Sequence, residues 1–211
     1  RKTLIKFDNV LNDQRHVIFS QRKDAMNSEQ IFSYSEGFLK EIIDDLINLK
    51  IQNLSNPKSK DFVNRLKTIL GKSLDENQFN ELILLNDNDF RQQINKRFEN
   101  KRKERSIMLG EEQAKEIEKR ILLQSIDLNW KSHIQYLEQL RGVIGLRSYG
   151  NRDPLIEYKK EAFTLFENLL FKLKSDLITI LLNITIAEKS EEEEVKVEPK
   201  KVDPKYIGKK M

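Results

Sequence analysis

Apolar residues recur at intervals of three and four along most of this chain, the period of one helix face, and the breaks in that pattern divide it into segments. In residues 1–31, Leu4, Phe7, Leu11, Ile18 and Ala25 fall near one face, with Val10 and Val17 beside them. No Pro or Gly interrupts the run, so the pattern predicts one long helix. Its other faces carry Asp8, Asn12, Asp13, Gln14, Arg15 and Arg22. Such a surface is either simply solvated or the polar side of a strut that meets other domains.

Residues 32–105 read as four short helices. Phe38, Ile42, Leu46 and Leu49 mark the first, stopped by Asn56-Pro57 because the residue before Pro is driven from helical angles. Phe62, Leu66, Ile69 and Leu70 mark the second, ended by Gly71. Ser73 or Asp75 caps a third through Phe79, Leu82 and Ile83, and Asp87 or Asp89 starts a fourth through Phe90, Ile94 and Phe98. So short a stretch buries only a modest core and reads as a small appended subdomain.

Two long amphipathic helices follow. Residues 111–141 carry Ile117, Ile121, Ile126, Trp130, Ile134, Leu137 and Leu140. Residues 154–186 carry Tyr158, Ala162, Leu165, Phe166, Leu169, Leu173, Leu177, Ile180 and Ile184, with Asp153 as N-cap and Pro154 in the first turn. Each would be about 45 Å long at ~1.5 Å per residue. Their short link predicts an antiparallel hairpin with a protruding tip. Residues 187–211 lose the period: Glu191–Glu194 is an acidic run, and Pro199, Pro204 and five Lys after residue 199 follow, the composition of a disordered linker. The chain therefore reads as all-α, divided into a scaffold helix (1–31), a small helical subdomain (32–110), a hairpin (111–186) and a tail (187–211).

Composition narrows the function. Charged residues make up 34% of the 211 and hydrophobic ones 38%, with 7 Gly, 4 Pro and no Cys. The absence of Cys removes any disulfide framework or thiolate metal site. The net charge of +4 comes from 38 basic against 34 acidic residues, interspersed, and is weak support for nucleic acid. No apolar run reaches the ~18 residues of a membrane span. Arg1 opens the chain inside a helical pattern without an initiator Met, which reads as a fragment of a longer protein.

Catalytic chemistry has no constellation to rest on. There is no GxxxxGK[ST] phosphate loop and no GxGxxG. His16 and His133 lie too far apart to suggest a metal pair, and His133 near Trp130 reads as a helix-surface or core residue. Arg97, Lys101, Arg102, Lys103 and Arg105 form a basic cluster that suits either a solvated helix end or an RNA contact. What remains is the loop within 141–163. Gly142, Gly145 and Gly150 permit unusual backbone angles, and Ile144, Leu146 and Tyr149 put apolar groups into an exposed segment. They either tuck back to plug the hairpin or touch something outside it; a Tyr ring gives apolar contact with only two torsions to fix.

RKTLIKFDNVLNDQRHVIFSQR at 1–22 resembles the start of the helical scaffold of the SecA family of bacterial preprotein translocase motors. LLQSIDLNWKSHIQYLEQLRGVIGLRSYGNRDPLIEYKKEAF at 122–163 resembles that family's two-helix finger, and 32–105 falls where its variable helical wing lies. The family usually has Glu, Gly and Gln where Ser132, Ser148 and Asn151 stand. The run 203–211 looks like the approach to the family's small zinc-binding segment, so zinc is expected just beyond the C-terminus.

The resemblance implies a C-terminal region of a motor that couples ATP hydrolysis to movement of unfolded preproteins through the SecYEG channel, and that also restrains the ATPase. It implies a fingertip of Ile144, Leu146, Arg147, Ser148 and Tyr149 on the preprotein, and a scaffold face of Asp8, Asn12, Gln14, Arg15 and Arg22 on the motor domains. ATP and Mg would bind to the full-length protein, outside this chain, which needs no cofactor or metal of its own and is expected to be inactive alone. SecYEG, preprotein and motor domains are the implied partners, with room for anionic lipid and a homodimer and no specific nucleic acid. The implied location is cytoplasmic, peripheral to the inner membrane. The competing reading is a helical adaptor for RNA or another helical protein.

Overall fold

The computed structural model describes residues 2–27, 29–55, 60–71, 74–145 and 153–185. Seven helices make up the described residues: α1 (Lys2–Asn27), α2 (Ile31–Ser55), α3 (Asp61–Leu70), α4 (Glu76–Leu84), α5 (Asp87–Leu109), α6 (Glu111–Ile144) and α7 (Pro154–Asn183). The chain is all-α, as its periodicity predicts. The tail predicted at 187–211 lies outside the described residues.

Two features differ from the sequence reading. The long first helix stops at Asn27, and Ile31, expected near its end, is instead the buried first residue of α2. The helices between 32 and 110 are not all short, since α2 has 25 residues and α5 has 23. α5 starts at Asp87, one of the two expected positions, and is capped by Asn86, whose side chain accepts from the Asp89 amide at 2.9 Å and donates to the Asp89 carboxylate at 2.7 Å. Other punctuation follows the sequence. Asp75 caps α4 through the Gln78 amide, α2 stops before Asn56-Pro57, and Asp153 accepts from Leu155 N at 2.8 Å ahead of Pro154.

All seven helices contribute to one continuous apolar cluster. Its largest fully buried side chains, Phe62, Phe90 and Phe98, are no more than 1% exposed, each stabilising the fold by roughly 1.5–3 kcal/mol. Leu122 and Ile126 of α6 and Leu169 to Leu182 of α7 belong to the same cluster, so the helices of 32–110 share the hairpin's core. A second cluster sits at the far end of the hairpin, where Phe7 of α1 meets Leu137, Leu140, Ile144, Tyr158 and Ala162. The Phe7 and Tyr158 rings pack edge to face, 4.7 Å apart.

The buried stripes of the hairpin depart in part from the predicted ones. On α6 the fully buried positions are Ala114, Glu118, Leu122, Ser125, Ile126, His133, Leu137, Leu140 and Ile144, while Ile117, Ile121, Trp130 and Ile134 are only half-buried. On α7 Ile178, Leu181 and Leu182 are buried and Ile180 is exposed. The lower part of α7 is packed by α2, α3 and α5 as well as α6, which widens its buried arc and turns Ile180 outward.

Glycine's freedom is used at Gly110 and not at Gly142 or Gly145, while Gly150 lies outside the described residues. Gly142 lies inside α6, and Gly145 has helical angles (φ −62°, ψ −28°), so neither uses the freedom glycine allows. Gly110, between α5 and α6, has φ 85° and ψ 153°, a region other residues avoid. It lets the chain turn from α5 into α6 and brings those helices side by side.

Candidate functional site

The hairpin of α6 and α7 projects from the shared core, and α1 runs along it, in contact with both helices. Polar clips fasten α1 to the hairpin at three levels. At the first, Arg22 makes a two-pronged bond to Asp127, at 2.9 and 3.2 Å, on the surface. The carboxylate raises the affinity of Arg22 for its proton through hydrogen bond and charge.

At the second level the contact is internal. Gln14 is buried, donating its Nε2 to the Ala162 carbonyl of α7 at 3.0 Å and placing Oε1 2.8 Å from His133 Nε2 of α6. With Oε1 as acceptor, His133 must carry its proton on Nε2. The imidazole lies between the Trp130 and Phe166 rings, 5.6 and 5.7 Å away, and burial lowers its pKa to about 4. His133 is thus a neutral core group, one of the two roles its sequence context allowed. At the third level Arg141 reaches Asp8 at 3.0 Å and lies over the Phe7 ring.

These positions revise the expected scaffold face. Gln14 is occupied inside the protein and is not available to another domain. Asp8 and Arg22 are partly exposed but engaged with the hairpin, and Asn12 accepts from Arg15 at 3.1 Å on the surface. Asn12 and Arg15 remain the outward part of that set. Ile144, implied by the resemblance to be a tip residue and readable from its context also as a plug, is 2% exposed and plugs the hairpin end against the second cluster, because α6 continues one turn beyond Arg141. Leu146, Arg147, Ser148 and Tyr149 lie outside the described residues.

A groove of about 780 Å³ opens along α6 and α7. Leu128 and Tyr136 of α6 and Ile180 of α7 line it and are 60%, 59% and 41% exposed. Asp176 on its wall accepts from Asn129 at 3.0 Å and from Lys172 at 2.6 Å. The surface is apolar with a few polar anchors, suited to contact without sequence-specific recognition.

The sequence reading missed a second polar centre. Glu118 of α6 has no exposed surface, and its carboxylate accepts from Arg102 Nε at 3.0 Å and Nη2 at 3.2 Å, Arg105 Nη2 at 3.3 Å, and Ser35 Oγ at 2.9 Å. Arg102 also bonds Glu36 at 2.6 Å and the Phe32 carbonyl at 3.1 Å, and its guanidinium stacks on the Phe32 and Phe98 rings. Arg105 donates to the Leu181 carbonyl at 2.6 Å; burial lowers its pKa, against the pull of Glu118. One carboxylate thereby joins α2, α5, α6 and α7. Of the basic cluster 97–105, Arg102 and Arg105 therefore point into the core and belong neither to a solvated helix end nor to an exposed basic face.

Among the described residues no group of three or more His, Asp or Glu is placed to hold a metal, and no helix is long and apolar enough to cross a membrane.

A family model described as the SecA Wing and Scaffold domain matches residues 1–185. The chain is 65% identical over 192 residues to the protein translocase subunit SecA of Pelagibacter ubique, covering 91% of this chain and 22% of that protein. It is 37% identical over 190 residues to the protein of the same description from Caulobacter vibrioides, covering 89% of this chain and 21% of that protein. With the one from Afipia carboxidovorans it shares 34% over 208 residues, 97% of this chain and 22% of that protein. The chain spans about a fifth of the length of these relatives.

Proposed function

Since the chain belongs to the SecA wing and scaffold domain family, we propose that it is the transmission part of a protein-translocating motor. The observation that carries this reading is the hairpin itself. Two helices of 34 and 30 residues, roughly 50 and 45 Å long, share a core at one end and are clipped to α1 along their length. Packed helices of this kind move as rigid bodies, so a displacement at the core end reappears at the tip.

In this reading the tip segment 146–149, with Tyr149 foremost, touches an unfolded preprotein at the mouth of the SecYEG channel. The outward side of α1, with Asn12 and Arg15, meets the motor domains, and the hairpin restrains their ATPase through α1. ATP and Mg bind those domains and zinc binds beyond residue 211, so the 211 residues alone turn over no ATP. The protein works in the cytoplasm at the inner-membrane surface.

The test is Tyr149→Ala in the full-length translocase. Preprotein transport should fall at least about tenfold, a loss of ~1.4 kcal/mol in the coupled step, with helix content unchanged. Transport at the native rate would overturn the fingertip assignment.

A further inference from the structure

The guanidinium of Arg22 is shared between two helices. Nε and Nη2 grip Asp127 of α6 at 2.9 and 3.2 Å, and Nη1 donates to Met26 Sδ, one turn along α1, at 3.3 Å. A thioether is a weak acceptor, so this third contact does little to fix the arginine. Met26 is 49% exposed and belongs to neither apolar cluster. Its sulfur is therefore open to small oxidants, and a polar group placed there takes nothing from the core.

Peroxide changes the acceptor. A sulfur lone pair attacks one oxygen of hydrogen peroxide, and the S–O bond forms as the O–O bond breaks. The departing oxygen takes the hydrogen of the transferred one and leaves as water. The thioether is oxidised by two electrons to the sulfoxide, the peroxide is reduced, and methionine sulfoxide reductases reverse the change. The sulfoxide oxygen is a stronger acceptor, and it stands beside the one arm of Arg22 that Asp127 leaves unused. An exposed, unbranched Met side chain has the freedom to turn that oxygen onto Nη1. The bond then holds Arg22 in the conformation that meets Asp127, which removes part of the entropy cost that keeps exposed ion pairs weak. We propose that Met26 is an oxidative modification site whose sulfoxide, by binding Arg22 Nη1, tightens the attachment of α1 to α6.

The test treats the 211-residue chain with hydrogen peroxide until mass spectrometry shows Met26 converted, then follows amide hydrogen exchange at low salt. Amides of α1 around Arg22 should exchange about twofold more slowly than in the untreated protein, the size expected of one added side-chain pair a helical turn apart. Met108, near the end of α5, is equally exposed at 49% and controls for general oxidation. Met26→Leu, in which Met108 is still oxidised, should show no change in α1 on treatment. Arg22→Ala should be oxidised at Met26 and show no slowing either. Reduction of the sulfoxide should restore the native rates. Unchanged or faster exchange in the oxidised native chain would overturn the proposal. So would the same slowing in Met26→Leu or Arg22→Ala, or a Met26 that stays reduced while Met108 is converted.

Discussion

The seam between α1 and the hairpin holds neutral Gln14 and His133 at its centre and exposed ion pairs at its ends. The seam around α5 and α6 instead holds a fully buried carboxylate, Glu118, between two guanidiniums that are 9% and 2% exposed. The difference lies in what opening each seam would expose. Separating Glu118 from its arginines leaves uncompensated charge in the core, so that seam has one arrangement. Separating α1 hands its ion pairs to water, where they lose little, and leaves the Gln14 contacts and the burial of Phe7, Ile18 and Ala25 to be replaced, with no charge stranded. The wing side is thus a platform fixed by buried charge, and α1 is a strut held without one.

The strongest challenge to this contrast is Glu118→Ala. It strands Arg105 in the core, leaves Arg102 with Glu36 as its carboxylate partner, and should lower stability by about 3–5 kcal/mol in urea unfolding. Replacing the whole triad with Glu118→Leu, Arg102→Met and Arg105→Leu should recover most of that loss, because no unpaired charge is left in the core and Glu36, which loses Arg102, faces water. A single-site cost below about 1 kcal/mol would mean that solvent reaches the network and that the two seams are alike.

A smaller effect is expected at the centre of the other seam. Gln14→Ala leaves the His133 Nε2–H without its acceptor and should cost about 1–3 kcal/mol. The same imidazole gives a pH signature. Its folded pKa, about 4, lies below the ordinary 6.5, so between these values the unfolded chain binds a proton that the folded one refuses. The stability this depressed pKa protects is complete above pH 6.5 and is lost as pH falls toward 4. Unfolding measured across that window should show the native protein losing stability faster than His133→Gln. Parallel curves would place His133 in water and remove the neutral centre from the comparison.

The sequence makes the helices, the Asp153-Pro154 start of α7 and the apolar faces of α3 and α7 readable, because periodicity and capping are local. Glu118 was hidden by treating its stripe as purely apolar. Ala114, Glu118, Leu122 and Ser125 share one face at spacings of four and three, as do Phe90, Ile94, Phe98, Arg102 and Arg105. A charge standing in register with a buried stripe was the available signal, and opposite charges on two such stripes pointed to a pair. Gln14 offered a similar clue between Phe7 and Ile18. Which helices meet, and hence that Gln14 reaches both His133 and the Ala162 carbonyl, depends on tertiary packing that no local pattern encodes. For Ile144 the sequence left two readings open, and the structure takes the plug over the fingertip place that the resemblance implied, because α6 runs on through Gly142 to Ile144.

The smallest expected effect belongs to the ends of the α1 seam, and it is the sharpest test of releasability. Arg22 and Asp127 are 38% and 56% exposed, and Arg141 and Asp8 are 38% and 55%. Water and salt compete for each of these groups, so Arg22→Ala should leave the unfolding midpoint nearly unchanged and be indistinguishable from the native protein in about 1 M salt. Amide hydrogen exchange should still detect the loss at low salt. Amides of α1 near Arg22 should exchange faster, while those of α6 around Glu118 should not, because opening one seam does not require opening the other. Faster exchange at both places would mean that α1 and the wing open as one unit, and the strut would then be part of the platform.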